Sequence, residues 1–292
     1  MSNSPLLTVT VNKVQHAPLS PVLPRIFRGS KASDFGFLTN ITSREADVIR
    51  DTDLGASRYL RPMLGQKELL TNQERWCLWL HEAYQDDIGD SPFLSLKVDA
   101  VRNSRLNSSN RRIQNLASEP HKYQDVIQPE REYLAVPLQP SGKYEHIPVD
   151  IVSAEFITSH TIGVIASNKR LAMGILSSYP FKVWKRNISK SETATERFFV
   201  DHAYNAFPLP TLSQSEIEIL EESARGISTA RAYLGVGNLD EMYDPRFKEP
   251  QLKDAHTELN ENFYQILHLP PHPGEEKIME RLTELYRKLV QG

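Results

Sequence analysis

The sequence predicts an α+β fold: a mixed-sheet domain over residues 1–210, followed by an all-helical module over residues 211–292. Three observations carry this expectation. Short apolar, β-branched runs recur through the first part, and Leu7-Thr-Val-Thr-Val11 alternates with period two, as a strand does. After Ser213 the apolar residues take helical spacing instead. Between the two parts, Pro208 and Pro210 end regular structure.

The elements follow in order. After the strand at 6–11 comes a loop punctuated by Pro18, Pro21 and Pro24, then a short strand at 25–28. Residues 29–36, GSKASDFG, read as a turn. The Gly-x4-Gly-Lys-Ser/Thr spacing of a phosphate loop is missing from it. A helix is expected at 43–51. Arg75-Trp-Cys-Leu-Trp-Leu80 is apolar on both faces, which predicts a central strand. Residues 94–116 predict one helix, with Leu94, Val98, Val101, Leu106 and Ile113 as its apolar stripe. Its arginines, Arg102, Arg105, Arg111 and Arg112, sit around a weakening Asn107-Ser-Ser-Asn110 patch. Strands follow at 132–137, 156–157 and 161–165, and a helix at 169–178. Ser213-x-x-Glu216 is a capping box that opens the helical module. The last helix carries Ile278, Leu282, Leu285 and Leu289 on one stripe.

Charge is distributed unevenly. The whole chain carries −3. From Ser159 to Val200 there are seven Lys/Arg against two Glu; from Ser213 onward there are fifteen Asp/Glu against nine Lys/Arg. A basic middle balanced by an acidic tail lets a nucleic-acid-facing surface sit in a near-neutral protein. The stretch 174–210, GILSSYPFKVWKRNISKSETATERFFVDHAYNAFPLP, is its centre. Aromatic residues and Lys182, Lys185, Arg186 and Lys190 precede small hydroxyl residues there. That mixture suits phosphate contacts plus base-edge readout. It equally suits a solvated helix face over an ordinary core.

The single cysteine, Cys77, allows no internal disulfide and lies in an apolar run, which predicts a buried, inert thiol. No apolar run has transmembrane length and no signal pattern opens the chain, so a cytoplasmic protein with no membrane partner is expected. The motifs of catalysis are missing: there is no glycine-rich methyl-donor turn, no Asn/Asp-Pro-Pro-Tyr/Phe and no zinc spacing, and the acidic string Glu130-Arg-Glu132 lacks the lysine of a metal-nuclease group. The chain on its own is therefore expected to be no enzyme, with no catalytic residue and no metal site.

Several motifs in order resemble the target-recognition domain of MmeI-like, type IIL restriction–modification enzymes. They are Leu60-Arg-Pro-Met-Leu-Gly65-Gln-Lys-Glu68, Arg75-Trp-Cys-Leu-Trp-Leu80, Tyr133-Leu-Ala-Val-Pro137 and Gly174-Ile-Leu-Ser-Ser178. Trp184-Lys-Arg186, Tyr204-Asn-Ala-Phe-Pro-Leu-Pro210 and Leu239-Asp-Glu-Met-Tyr-Asp-Pro245 continue the series. The resemblance spans about residues 25–290. One departure is Leu209, where the family pattern has tryptophan. The resemblance implies a sequence-specific double-stranded DNA recognition function. It implies partner methyltransferase and nuclease domains, in the same or a separate chain, and places S-adenosylmethionine and Mg in those domains. It suggests base recognition at His160, Thr161, Thr193, Thr195 and Arg197. The family often has charged residues where Thr193 and Thr195 stand, so the recognised bases stay open. Lys182, Lys185, Arg186 and Lys190 are the phosphate candidates. The rival function class is a protein-interaction module in which the acidic helices dock a partner and the basic patch is incidental.

Overall fold

The computed structural model describes residues 16–188, 200–235 and 237–291. In chain order the elements are β1 (Phe27–Arg28), α1 (Ser43–Thr52), α2 (Leu54–Ser57), β2 (Leu60–Leu64), α3 (Gln66–Thr71), β3 (Trp76–Leu78) and α4 (Gln85–Asp90). Next come α5 (Pro92–Leu106), α6 (Arg111–Asn115), β4 (Tyr133–Pro137), β5 (Asp150–Val152), β6 (Ile157–Thr158) and β7 (Ile162–Ile165). The rest is helical: α7 (Lys169–Ser177), α8 (Tyr179–Ile188), α9 (Gln214–Leu234), α10 (Leu239–Met242), α11 (Pro250–Ile266) and α12 (Glu275–Gln291). The α+β class expected from the sequence is the class observed. The strand expected at 6–11 lies outside the described residues.

One compact unit comprises Arg28–Glu132 and Val152–Ile162. Its sheet has the order β3-β2-β6. β2 pairs antiparallel with β3, Leu60 opposite Leu78, and parallel with β6, Met63 opposite Ile157. β3 is thus a terminal strand, not the central one its apolar faces predicted. Its outer edge is covered by residues 38–41, which are not themselves a strand. Trp76 N–H donates to Ile41 O at 2.8 Å, Ile41 N–H to Trp76 O at 3.2 Å and Leu78 N–H to Leu38 O at 2.8 Å. These bonds satisfy the outward N–H groups of Trp76 and Leu78, and Cys77 and Leu78 are fully buried. Asp34 shapes the covering segment: its carboxylate accepts from Leu38 N–H at 2.7 Å and Thr39 N–H at 2.9 Å.

The helix expected over 94–116 is split. α5 ends at Asn107, and Asn110 caps α6 by accepting Arg112 N–H at 2.9 Å. Asparagine and serine side chains offer the backbone local hydrogen bonds that compete with helix, and here they break it. Leu94, Val98 and Val101 pack with Leu38, Ile41, Ile49, Leu60 and Leu78 in the core of this unit.

The other unit comprises 16–27, Tyr133–Ile151 and 163–291 of the described residues. Its sheet, β1-β7-β4-β5, places β4 and β7 inside, and every residue of both is buried. α7 is nearly buried all round, from Leu171 to Ser177. It packs on β4 and on α9, and α9 packs on α11. Gly174 permits the close crossing: a Cβ there would lie 2.7 Å from Leu220 O of α9.

The compact units do not divide at the expected boundary of 210/211. Residues 213–291 are helical and strand-free among the described residues, but they cover α7 and α8 and share their compact unit. The prolines at 208 and 210 end a chain segment, not a core. The capping box forms as read: Ser213 N–H donates to Glu216 Oε2 at 2.7 Å, and Glu216 N–H to Ser213 Oγ at 3.3 Å.

The motif residues around Trp184 and 204–210 form framework. Trp184, Tyr204 and Phe207 are fully buried. Trp184 Nε1–H donates to Ala203 O at 3.0 Å, and Tyr204 Oη–H to Pro24 O at 2.8 Å. The Phe181 and Phe207 rings meet edge to face at 5.0 Å between centroids, a favourable geometry for aromatic pairs.

Candidate nucleic-acid interface

The link from β6 to β7 is a four-residue turn. Ile162 N–H donates to Ser159 O at 3.1 Å, which places His160 and Thr161 at its two corners. Both corner residues are exposed while Thr158, Ser159 and Ile162 on either side are buried. The turn is anchored on both sides. Ser159 N–H donates to Leu64 O at 2.9 Å, and Gln66 N–H donates to Thr161 Oγ1 at 3.0 Å. Beneath it Glu68 accepts Gly65 N–H at 2.8 Å and pairs with Arg75 at 2.9 Å. A Cβ on Gly65 would meet the side-chain ends of Arg75, Glu68 and Thr161 at 2.6–2.8 Å and would displace them.

Residues 28–31 lie along the same turn. Gly29 N–H donates to Ile162 O at 2.9 Å, and a Cβ on Gly29 would fall 2.3 Å from Ser159 O. Ser30 N–H donates to Thr158 Oγ1 at 3.0 Å, and the two hydroxyls lie 3.1 Å apart. Lys31 and Asp125 exchange backbone hydrogen bonds at 2.9 and 3.1 Å. Gly29 and Ser30 are buried, whereas Arg28 and Lys31 are exposed. Partial desolvation, with the nearby cations Arg28, Lys31 and Arg75, holds the His160 imidazole below its usual pKa; Asp34 opposes them. The ring is therefore neutral at pH 7 and offers one donor and one acceptor.

The residues expected to touch phosphate fare differently. Lys185 is 2% exposed, on the face of α8 that also carries the buried Phe181 and Trp184. It is engaged within the fold. That corrects its reading as a phosphate contact, since a duplex cannot reach an ammonium buried inside the core. Arg186 is exposed but ion-pairs with Glu275 of α12, which also accepts the Tyr179 hydroxyl at 2.6 Å. Lys182 is half-buried and has interactions of its own. Lys190, Thr193, Thr195 and Arg197 lie outside the described residues. Arg105, on the inward face of α5, is wholly buried. The sequence reading passed over Arg28 and Lys31, whose signal was the pair of cations bracketing Gly29-Ser30.

A family model described as MmeI, target recognition domain, matches residues 7–211. The chain belongs to this family. The MmeI target recognition domain match ends beside Pro210, although the compact unit continues past it. DNA methyltransferase A of Bacillus subtilis (strain 168) is 27% identical over 290 residues, 99% of this chain and 33% of that protein. A solved structure described as the type IIL restriction-modification enzyme MmeI in complex with DNA is 28% identical. It covers 96% of this chain and 37% of its own, with a TM-score of 0.91. The chain thus spans about a third of the length of these relatives. Among the described residues no group of three or more His, Cys, Asp or Glu is arranged to hold a metal ion. No described helix is long and apolar enough to cross a membrane.

Proposed function

We propose that this target recognition domain reads a specific sequence in double-stranded DNA on behalf of a type IIL methyltransferase and nuclease. The observation that carries the reading is the family match combined with an exposed, rigidly anchored His160-Thr161 turn in a basic surround. Base-edge readout needs donors and acceptors held in a fixed register. A buried frame that pins an exposed polar turn provides that. Under this proposal the chain is the non-catalytic specificity part. Methyl transfer from S-adenosylmethionine and Mg-dependent cleavage belong to catalytic domains in the same or a separate chain, and the assembly works in the cytoplasm. Thr193, Thr195 and Arg197 are the further base-reading positions.

Arg197 gives the sharpest test. A guanidinium reads guanine through two parallel hydrogen bonds to O6 and N7. In a methyltransferase carrying this domain, Arg197→Ala should lose about 1–3 kcal/mol of discrimination at one base pair. Methylation rates on a set of single-base site variants measure this. Equal loss on every variant, with no preference relaxed, would remove Arg197 from base reading.

A further inference from the structure

The segment 28–31 is built to hold two cations still. Its backbone is tied to the recognition turn through Gly29 and Ser30, and to residue 125 through Lys31. Ser30 Oγ also accepts Ile127 N–H at 3.0 Å, so the segment is fastened on two sides. The missing side chain at Gly29 is what allows the approach to Ser159 O. Arg28 and Lys31 are exposed at its ends and carry no ion pair among the described residues. This sets them apart from Arg186, held by Glu275, and from Arg75, held by Glu68. Both act electrostatically on His160, so both lie beside the exposed corner of the turn. The carboxylate acting there in opposition, Asp34, is buried and accepts from Leu38 and Thr39. Of the charged groups acting on His160, the two that are exposed, Arg28 and Lys31, are both cations.

We infer that Arg28 and Lys31 form a phosphate clamp on the DNA backbone that sets the register of the His160-Thr161 turn against the bases. The inference rests on the DNA-reading proposal above. Phosphate contacts orient a protein on the duplex without carrying sequence information. A clamp on the same rigid frame as the reading turn converts a backbone contact into a register. It also assigns the electrostatic work to residues outside α8, where Lys185 is buried and Arg186 is paired.

The test compares the chain with its R28Q/K31Q double variant in binding to a random-sequence duplex, titrated over salt concentration. Each phosphate neutralised contributes about 0.9 to the slope of log affinity against log salt. The clamp predicts a slope shallower by about 1.8 in the double variant, the same for every duplex sequence, with an unchanged unfolding midpoint because both side chains are exposed. An unchanged slope with the parent chain binding normally overturns the clamp and leaves the DNA-reading proposal standing. A parent chain with no salt-dependent duplex binding overturns both.

Discussion

Replacing Arg105 with methionine is expected to destabilise the chain by about 4 kcal/mol or more. The side chain is wholly buried and uses all five of its N–H donors on backbone carbonyls. Nε donates to Ser33 O at 3.1 Å; Nη1 to Leu116 O at 2.8 Å and Glu119 O at 3.1 Å; Nη2 to Ala32 O and Lys122 O, both at 2.9 Å. One guanidinium thereby ties the chain at 32–33 to the chain at 116–122. Burial lowers its pKa and Asp34 opposes that shift. Methionine fills the space but leaves those carbonyls without a donor, and each buried unsatisfied group costs about 1–3 kcal/mol. Lysine carries only three donors, so Arg105→Lys should recover a part of the loss. Chemical denaturation measures both variants. A loss under about 1 kcal/mol for Arg105→Met would mean that the carbonyls find other partners and that the guanidinium does not hold the two segments together.

Acid should weaken the chain through a second buried cluster. His146 and His256 stack with ring centroids 3.9 Å apart. Arg231 donates to the Tyr243 oxygen, which leaves the tyrosine proton for His256 Nε2 at 2.8 Å. His146 Nδ1–H donates to Ser177 O at 2.9 Å. Burial first, with Lys182 and Arg231 nearby, pushes His146 down from 6.5 to about 4. Burial and the neighbouring His146 and Arg231 push His256 down as well. Both rings are neutral when folded and protonate near 6.5 when unfolded. Their contribution is fully present above pH 6.5 and is lost as pH falls from 6.5 towards 4. His146 alone should remove about 2 kcal/mol between pH 7 and pH 5. Urea denaturation at the two pH values reads the loss, and the His146→Asn variant should show a flatter dependence. An identical pH dependence in parent and variant would assign the acid sensitivity to other groups.

Much of the helical part was legible because its signals are local. The capping box at Ser213 and the stripe Ile278, Leu282, Leu285 lie where spacing put them. The failures share a cause. Arg105 lies eleven residues after Leu94, and Lys185 lies four after Phe181. Helical spacing sets each on the buried face of its own helix, whereas charge alone points both to the surface. Chemistry outweighed geometry in that reading, and the structure reverses the order: a cation on the apolar stripe is buried with its partners. The terminal place of β3 was not legible for a different reason. Its edge is covered by residues 38–41, and that hydrogen bonding depends on the Asp34 turn, not on any pattern within β3. The shared core of α7 and α9 was hidden likewise. Prolines mark where a segment ends, but the meeting of Gly174 with Leu220 is a tertiary event. The exposed turn at His160-Thr161 is singled out only by family resemblance, because a two-residue exposed corner carries no periodicity. Arg28 and Lys31 flank a glycine whose significance comes from Ser159, 130 positions later in the chain.

The central claim is that this chain distinguishes one DNA sequence from others. Selection from a pool of duplexes with a randomised core tests it most directly: the purified chain is incubated at moderate salt, and bound duplexes are recovered, amplified and sequenced over several rounds. The account predicts enrichment of a single short motif. It also predicts that His160→Ala blurs one position of that motif, while R28Q/K31Q weakens recovery of all sequences alike. Recovery without any enriched motif, or no recovery of duplex at all, would contradict it.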